Sequence, residues 1–140
     1  MDKRYKFSIS GSARKVILVS VFDTNKNVLV SQVTIDMYGD YFRYQQYCNG
    51  HKIARIVRVE TTPSYVGLGF GSEVLKKALE YLDNWGYNVY LLCSPQHREA
   101  NDNLRTVKDL KRFYSKFGFK PTLELLPTMI RKASLPTLGE

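Results

Sequence analysis

The run Val59-Glu60-Thr61-Thr62-Pro63-Ser64-Tyr65-Val66-Gly67-Leu68-Gly69-Phe70-Gly71-Ser72 decides the fold. A strand ends, a turn follows, and glycines at alternate positions open a helix. Glycine lets the main chain approach an anion without a Cβ in the way, and it accepts a positive φ. The first turn of a helix presents unpaired N–H groups and the positive end of its dipole. Together these features make a cradle for a pyrophosphate, to which Ser72 can add a hydroxyl donor. The plainer alternative is a glycine-rich turn with no ligand. A clear strand before it and a clear amphipathic helix after it favour the phosphate.

Working outward, Lys52 to Thr61 (KIARIVRVET) is a strand that Thr62-Pro63 stops, because proline ends ladder pairing. From Gly69 to about Asn84, Val74, Leu75, Ala78, Leu79 and Leu82 recur at helical spacing, with Glu73, Lys76, Lys77, Glu80 and Asp83 on the other face. Gly86 is the stop. Two nucleotide patterns fail here. A P-loop needs a Lys-Ser/Thr pair after its glycines, and none follows. A dinucleotide fingerprint needs GxGxxG opening a parallel unit, whereas the spacing is GxGxG and the preceding strand is expected to continue an antiparallel run.

Upstream of the motif the chain reads as strands. Tyr5, Phe7 and Ile9 alternate with polar residues. Lys15 to Phe22 (KVILVSVF) is apolar and β-branched, as in a strand covered on both faces. Asp23 to Asn27 is turn chemistry, and Val28 to Ile35 returns as the partner strand. Residues 37–51 are either a strand joined to the next by an Asn49-Gly50 turn, the preferred reading, or a helical insertion. Downstream, Asn88 to Cys93 is a short buried strand and 94–103 a polar loop. Leu104, Val107, Leu110, Tyr114 and Phe117 then mark a second helix closed by Gly118. Leu123 to Lys132 forms one or two terminal strands, interrupted at Pro127. The order predicts an α+β or mixed α/β fold around one sheet, with residues 1–140 as a single domain.

With these elements in place, the chain resembles the GNAT superfamily, the Gcn5-related acetyl-CoA-dependent N-acetyltransferases. That family's central motif runs strand, Pro, aromatic, then Arg/Gln-x-x-Gly-x-Gly/Ala into a helix. Pro63, Tyr65, Gly67, Gly69 and Gly71 match it. A second signature, aromatic-Tyr-x-x-x-Gly-Phe, appears as Phe113-Tyr114-Ser115-Lys116-Phe117-Gly118-Phe119. The resemblance covers about residues 52–131. It implies a central, mostly antiparallel sheet with two main helices, and acetyl-CoA as cosubstrate without a metal. Three features depart from the family. Val66 stands at the Arg/Gln position, and Val107 stands where an Asn often precedes the Tyr. Neither the 10–15 connection nor the 23–27 turn has room for the usual two helices after the first strand. The acceptor side is then open, or completed by Tyr38 to Tyr47 or by a second subunit of a homodimer.

The resemblance also assigns roles. Pantetheine would lie along the strand end at Val59 and Thr61, pairing with main-chain groups. The amides of Val66, Gly67, Leu68, Gly69, Phe70, Gly71 and Ser72 would hold the pyrophosphate. Tyr114 would protonate the departing sulfur as general acid; otherwise it is a core tyrosine. A primary amine must lose a proton before attack, and Glu60 is the first candidate for base. His51, in an exposed turn, Asp36, at a strand end, and water are the others. The implied activity is transfer of acetyl from acetyl-CoA to an amine of unidentified type by direct attack in a ternary complex. The alternatives are a toxin-like member acting on aminoacyl-tRNA, or a non-catalytic binding protein with the same fold.

Composition sets the outer bounds. Of 140 residues, 44% are hydrophobic and 24% charged, which is globular rather than disordered composition. No apolar run reaches the roughly 18 residues of a membrane span. The start MDKRYKFSIS has charge but no apolar block, so a secretory signal is not expected and the expected compartment is the cytoplasm. Cys48 and Cys93 read as reduced thiols, and with His51 and His97 they match no zinc spacing. Lys and Arg number 21 against 13 Asp and Glu, a formal +8. That charge suits an anionic cofactor, a nucleic acid or a plain basic surface. Arg105, Lys108, Lys111, Arg112 and Lys116 on the second helix, opposed by Asp109, carry the same ambiguity.

Overall fold

The computed structural model describes residues 4–11, 15–37, 52–93, 106–122 and 128–133. The tyrosine-rich stretch 38–51, the loop 94–103, Leu104, Arg105, and Leu123 to Pro127 lie outside the described residues. Seven strands make one sheet: β1 (Tyr5–Gly11), β2 (Val16–Asp23), β3 (Val28–Asp36), β4 (Lys52–Thr61), β5 (Tyr87–Leu92), β6 (Lys120–Pro121) and β7 (Thr128–Arg131). Their spatial order is β1-β2-β3-β4-β5-β7-β6. The helices are α1 (Phe70–Asn84) and α2 (Val107–Ser115). The α+β expectation holds, and the chain between β2 and β3, Thr24 to Asn27, is a turn with no helix in it.

Every neighbouring pair is antiparallel except β4 and β5, which are parallel. That corrects the expectation that β4 opens no parallel unit. The strand does both: it runs antiparallel to β3 on one edge, and through α1 it makes a parallel crossover to β5 on the other.

The main core lies between both helices and one face of the sheet. Ile17, Val19, Val33, Ile35, Ala54, Ile56, Val89 and Leu91 from the strands meet Val74, Leu75, Ala78, Leu79 and Leu82 of α1 and Leu110 and Tyr114 of α2. Phe119 and Met129 close its far side. On the opposite face, Ile53, Tyr90 and Ile130 form a small cluster. β2 is covered on both faces only in its middle, where Ser20 is buried, while Val16 and Phe22 at its ends are exposed.

α2 starts at Val107 rather than Leu104. Thr106 is its N-cap, extended in backbone, with Oγ1 accepting from the Asp109 amide at 3.0 Å. Arg131 on β7 ties the helix ends together, donating from Nε to the Phe117 carbonyl (2.8 Å) and from both Nη atoms to the Asp83 carboxylate at the end of α1 (2.7 and 2.8 Å). The terminal strand pair sits earlier than expected, since Lys120–Pro121 supplies the partner of β7.

Candidate active site

The site begins with a mismatch of strand lengths. β4 pairs with β5 only from Lys52 to Arg55, against Tyr87 to Tyr90. Beyond Arg55 and Tyr90 the two strands no longer pair, although β4 continues to Thr61 and β5 to Leu92, the latter keeping β7 on its other edge from Val89 to Leu92. The two central strands therefore part, and Ile56 to Thr61 has a strand partner on the β3 edge alone among the described residues. Just there the β3–β4 ladder carries a bulge: Thr34 faces Arg58, but Ile35 faces Ile56, leaving Val57 over.

The end of β4 is held firmly from the β3 side. Ser31 Oγ donates to the Glu60 carbonyl at 2.7 Å and lies 2.9 Å from Thr61 Oγ1. With the Ser31 proton spent on Glu60, the Thr61 hydroxyl donates to Ser31. Thr62 then donates from its amide to the Val30 carbonyl (2.8 Å) and from its hydroxyl to the Leu29 carbonyl (2.6 Å). A single 3₁₀ turn, Pro63–Tyr65, swings the chain towards α1.

Tyr65 is buried beneath this turn. Its hydroxyl donates to Asp23 Oδ2 at 2.6 Å, and Arg4 grips the same carboxylate through Nε (3.1 Å) and Nη2 (2.8 Å). Asn25 and Lys26 add main-chain donors to Oδ1. Arg4 above all holds the Asp23 carboxyl well below the usual carboxylate range, and the bond to Asp23 raises the Tyr65 phenol. Tyr65 also packs edge-on to Phe70, which stacks against Tyr5 at 4.7 Å between centroids. Sequence reading took Asp23 for a turn residue and gave Arg4 no role. Their partners lie 19 and 42 residues from Asp23, so no local pattern could show them.

Above this anchor the glycine segment is open. Gly67 and Gly69 have φ of +86° and +87°, with nothing within 4 Å of where a Cβ would stand. Gly69 is the N-cap of α1 and supplies no side-chain cap. The first bond of the helix runs from the Glu73 amide to the Gly69 carbonyl. The amides of Gly67 through Ser72 find no acceptor among the described residues. Gly71 is placed differently. A Cβ there would lie 3.4 Å from Thr61 Oγ1 and 3.9 Å from Val59 Cγ1, ordinary contact distances that show the first turn of α1 lying against the end of β4. Of the other residues singled out, Val66 and Ser72 are half-buried, Leu68 is 66% exposed at the loop tip and Phe70 is buried.

Tyr114 and Glu60 stand on opposite faces of the sheet. Val59 packs with the helix-side core, so its neighbour Glu60 points away from it. The Glu60 carboxylate pairs with Arg58 Nη1 and both side chains are about 40% and 38% exposed, Arg58 first. Tyr114 is buried against Phe113 and Phe119, at 5.1 and 5.7 Å between centroids. Burial first, and the neighbouring Cys93 second, push its phenol well above the ordinary range. A phenol so placed keeps its proton at neutral pH. Burial also pushes the Cys93 thiol up to about 11, so it packs as a small hydrophobe. Val107 is half-buried against the core, and Asp36 ends β3 opposite Arg55. His51 lies outside the described residues. Among the described residues no group of three or more His, Cys, Asp or Glu could hold a metal ion, and no helix is long and apolar enough to cross a membrane.

The residues suit a nucleotide carrying a pyrophosphate and an extended arm. Open amides at a helix N-terminus, with free space beside Gly67 and Gly69, would receive the phosphates. The unpaired edge of β4 would receive an extended amide chain as an added strand.

Comparison with known proteins agrees with this geometry. The profile described as the Acetyltransferase (GNAT) family matches residues 3–119. No curated protein sequence matches the chain. Among solved structures, a bacterial toxin superimposes with a TM-score of 0.62 at 16% identity, covering 84% of this chain and 68% of that one. The histone acetyltransferase HPA2 and related acetyltransferase from Corynebacterium glutamicum gives 0.55 at 17% identity, covering 90% and 69%. Arabidopsis thaliana Naa50, in complex with the bisubstrate analogue CoA-Ac-MVNAL, gives 0.51 at 18% identity, covering 81% and 69%. At these identities the likeness is one of fold.

Proposed function

The chain belongs to the acetyltransferase (GNAT) family, and on that premise we propose that it is a single-domain enzyme moving an acetyl group from acetyl-CoA to a primary amine by direct attack in a ternary complex. The observation that carries this reading is the row of amides from Gly67 to Ser72, which meet no acceptor among the described residues, set beside a stretch of β4 that among those residues has no strand partner on its β5 side. Acetyl-CoA, when bound, supplies an acyl thioester that an uncharged amine can attack.

The remaining work falls to this chain's own residues. Gly67, Leu68, Gly69, Phe70, Gly71 and Ser72 bind the pyrophosphate through main-chain N–H groups, aided by the dipole of α1. Val66 brings an amide but no charged side chain. Val59 and Thr61 orient the pantetheine arm through the main chain of β4. Amide groups on the parted edge of β4 are placed to polarise the thioester carbonyl. Tyr114 delivers its phenol proton to the leaving sulfur from the helix side. Glu60, on the other face, takes the proton of the incoming ammonium directly or through water.

Calorimetry with acetyl-CoA tests the reading. Binding is expected, and its absence, together with no thermal stabilisation by acetyl-CoA, would overturn it. Tyr114→Phe is expected to lower kcat about a hundredfold with little change in acetyl-CoA affinity. A matching loss of folded protein would instead make Tyr114 structural. Full acetyl-CoA binding without transfer to any of a panel of amines would identify a binding protein.

A second reading, acetylation of aminoacyl-tRNA, draws support from the exposed Lys108, Arg112 and Lys116 on α2. It requires tRNA binding that falls steeply with salt.

A further inference from the structure

The bulge at Val57 changes which side chains of β4 share a face. In an unbroken strand, residues three apart point to opposite sides of the sheet. Here Arg55 faces Asp36 and Arg58 faces Thr34, and those two β3 residues, two apart, share one side. The extra residue therefore brings Arg55 and Arg58 to the same face, with Glu60 beyond them. Across the ladder that face continues with Thr34 and Gln32, whose amide donates to Ser20 Oγ at 2.9 Å. It is the face away from α1, α2 and the glycine cradle, so an acceptor approaching from it meets the parted strands without crossing the cofactor's seat.

The two arginines are incompletely satisfied. Arg58 gives Nη1 to Glu60, yet its Nε is buried without a hydrogen-bond partner among the described residues, and so is Arg55 Nε. Asp36, opposite Arg55 in the register, has an interaction of its own and leaves that Nε unmet. Two arginine Nε–H groups without an acceptor among the described residues, on guanidiniums beside the place where the amine must arrive, ask for an oxyanion. We propose that the acceptor carries a carboxylate or phosphate group beside its amine, and that Arg55 and Arg58 bind this oxyanion. The inference rests on the acetyltransferase reading and names its acceptor class.

The first test is a titration of the 15N-labelled full chain with sodium acetate in one arm and inorganic phosphate in the other. The Nε–H signals of Arg55 and Arg58, assigned with R55K and R58K, are followed against sodium chloride at matched ionic strength. Saturable shifts of both signals are expected, and the tighter arm names the oxyanion. Signals unmoved at about 50 mM, well above the millimolar Kd expected of two charge-assisted contacts, overturn the proposal.

The second test compares acceptor pairs: glycylglycine with its amide, and O-phosphoethanolamine with ethanolamine. The anionic member of at least one pair should have a kcat/KM about tenfold higher or more, and R55Q/R58Q should bring that ratio near one. R58K should keep part of the preference. Equal rates within both pairs overturn the proposal. Acetyl-CoA calorimetry on the same samples separates the two ideas. A chain that binds acetyl-CoA and ignores both anions sinks the oxyanion site and leaves the transferase reading standing. Anion binding without acetyl-CoA binding supports the site and sinks that reading.

Discussion

The two helices begin in opposite ways. α2 opens behind Thr106, whose side chain takes the Asp109 amide, and Asp109 itself stands in the positive first turn. α1 opens behind Gly69, which has no side chain, and its leading amides meet nothing among the described residues. Capping typically contributes about 1 kcal/mol, so forgoing it at a fifteen-residue helix that packs against four strands is a real cost. The contrast teaches that an uncapped helix start is not a general habit of this chain. It occurs where the sheet also withholds a strand partner, and the two vacancies lie side by side.

The contrast can be attacked from either helix. The largest effect should come from closing the open end. Gly69→Asp offers a residue that tolerates a left-handed backbone, together with a carboxylate that caps the amides and repels phosphate. Acetyl-CoA affinity should fall about a hundredfold while the chain stays folded. Calorimetry beside circular dichroism reads both, and unchanged affinity would mean that the phosphates sit elsewhere. Next comes Val66→Arg, which adds the side-chain donor that this cradle lacks. It should tighten acetyl-CoA binding by about tenfold, seen in the same titration. If nothing changes, position 66 does not reach the phosphates. The smallest effect belongs to the capped helix. Thr106→Ala should cost about 1 kcal/mol in urea unfolding and leave acetyl-CoA affinity as it was. Should Thr106→Ala weaken acetyl-CoA as much as Gly69→Asp, the distinction between the two helix starts collapses.

Much of this was readable in the chain, for physical reasons that also mark where reading stops. The hairpin of β2 and β3, the strand before Pro63 and the amphipathic run of α1 each announce themselves within about ten to fifteen residues. The glycines at 67 and 69 were visible as the turn that opens α1, since a positive φ before a helix is a local matter. The parallel pairing of β4 with β5 was not, because strand direction across a crossover is set by tertiary packing. The cluster of Arg4, Asp23 and Tyr65 joins three distant segments and leaves no periodic trace. The start of α2 was placed too early because Leu104 continues the apolar spacing, whereas Thr106 decides the boundary by capping. The bulge did leave a mark. The apolar doublet Ile56-Val57 interrupts the alternation in KIARIVRVET, and such a doublet is how a strand with one residue too many looks in sequence.

That single surplus residue makes β4 a partition with a different trade on each side. Val59 and Thr61 turn towards α1, the helix proposed to seat the nucleotide, while Arg55, Arg58 and Glu60 turn to the opposite face. Replacements at 55, 58 and 60 can therefore redraw what the outer side welcomes and leave the inner fittings in place. Removing Val57 alone would close the bulge into an even ladder and leave Arg55 and Arg58, then two residues apart, on the same outer face.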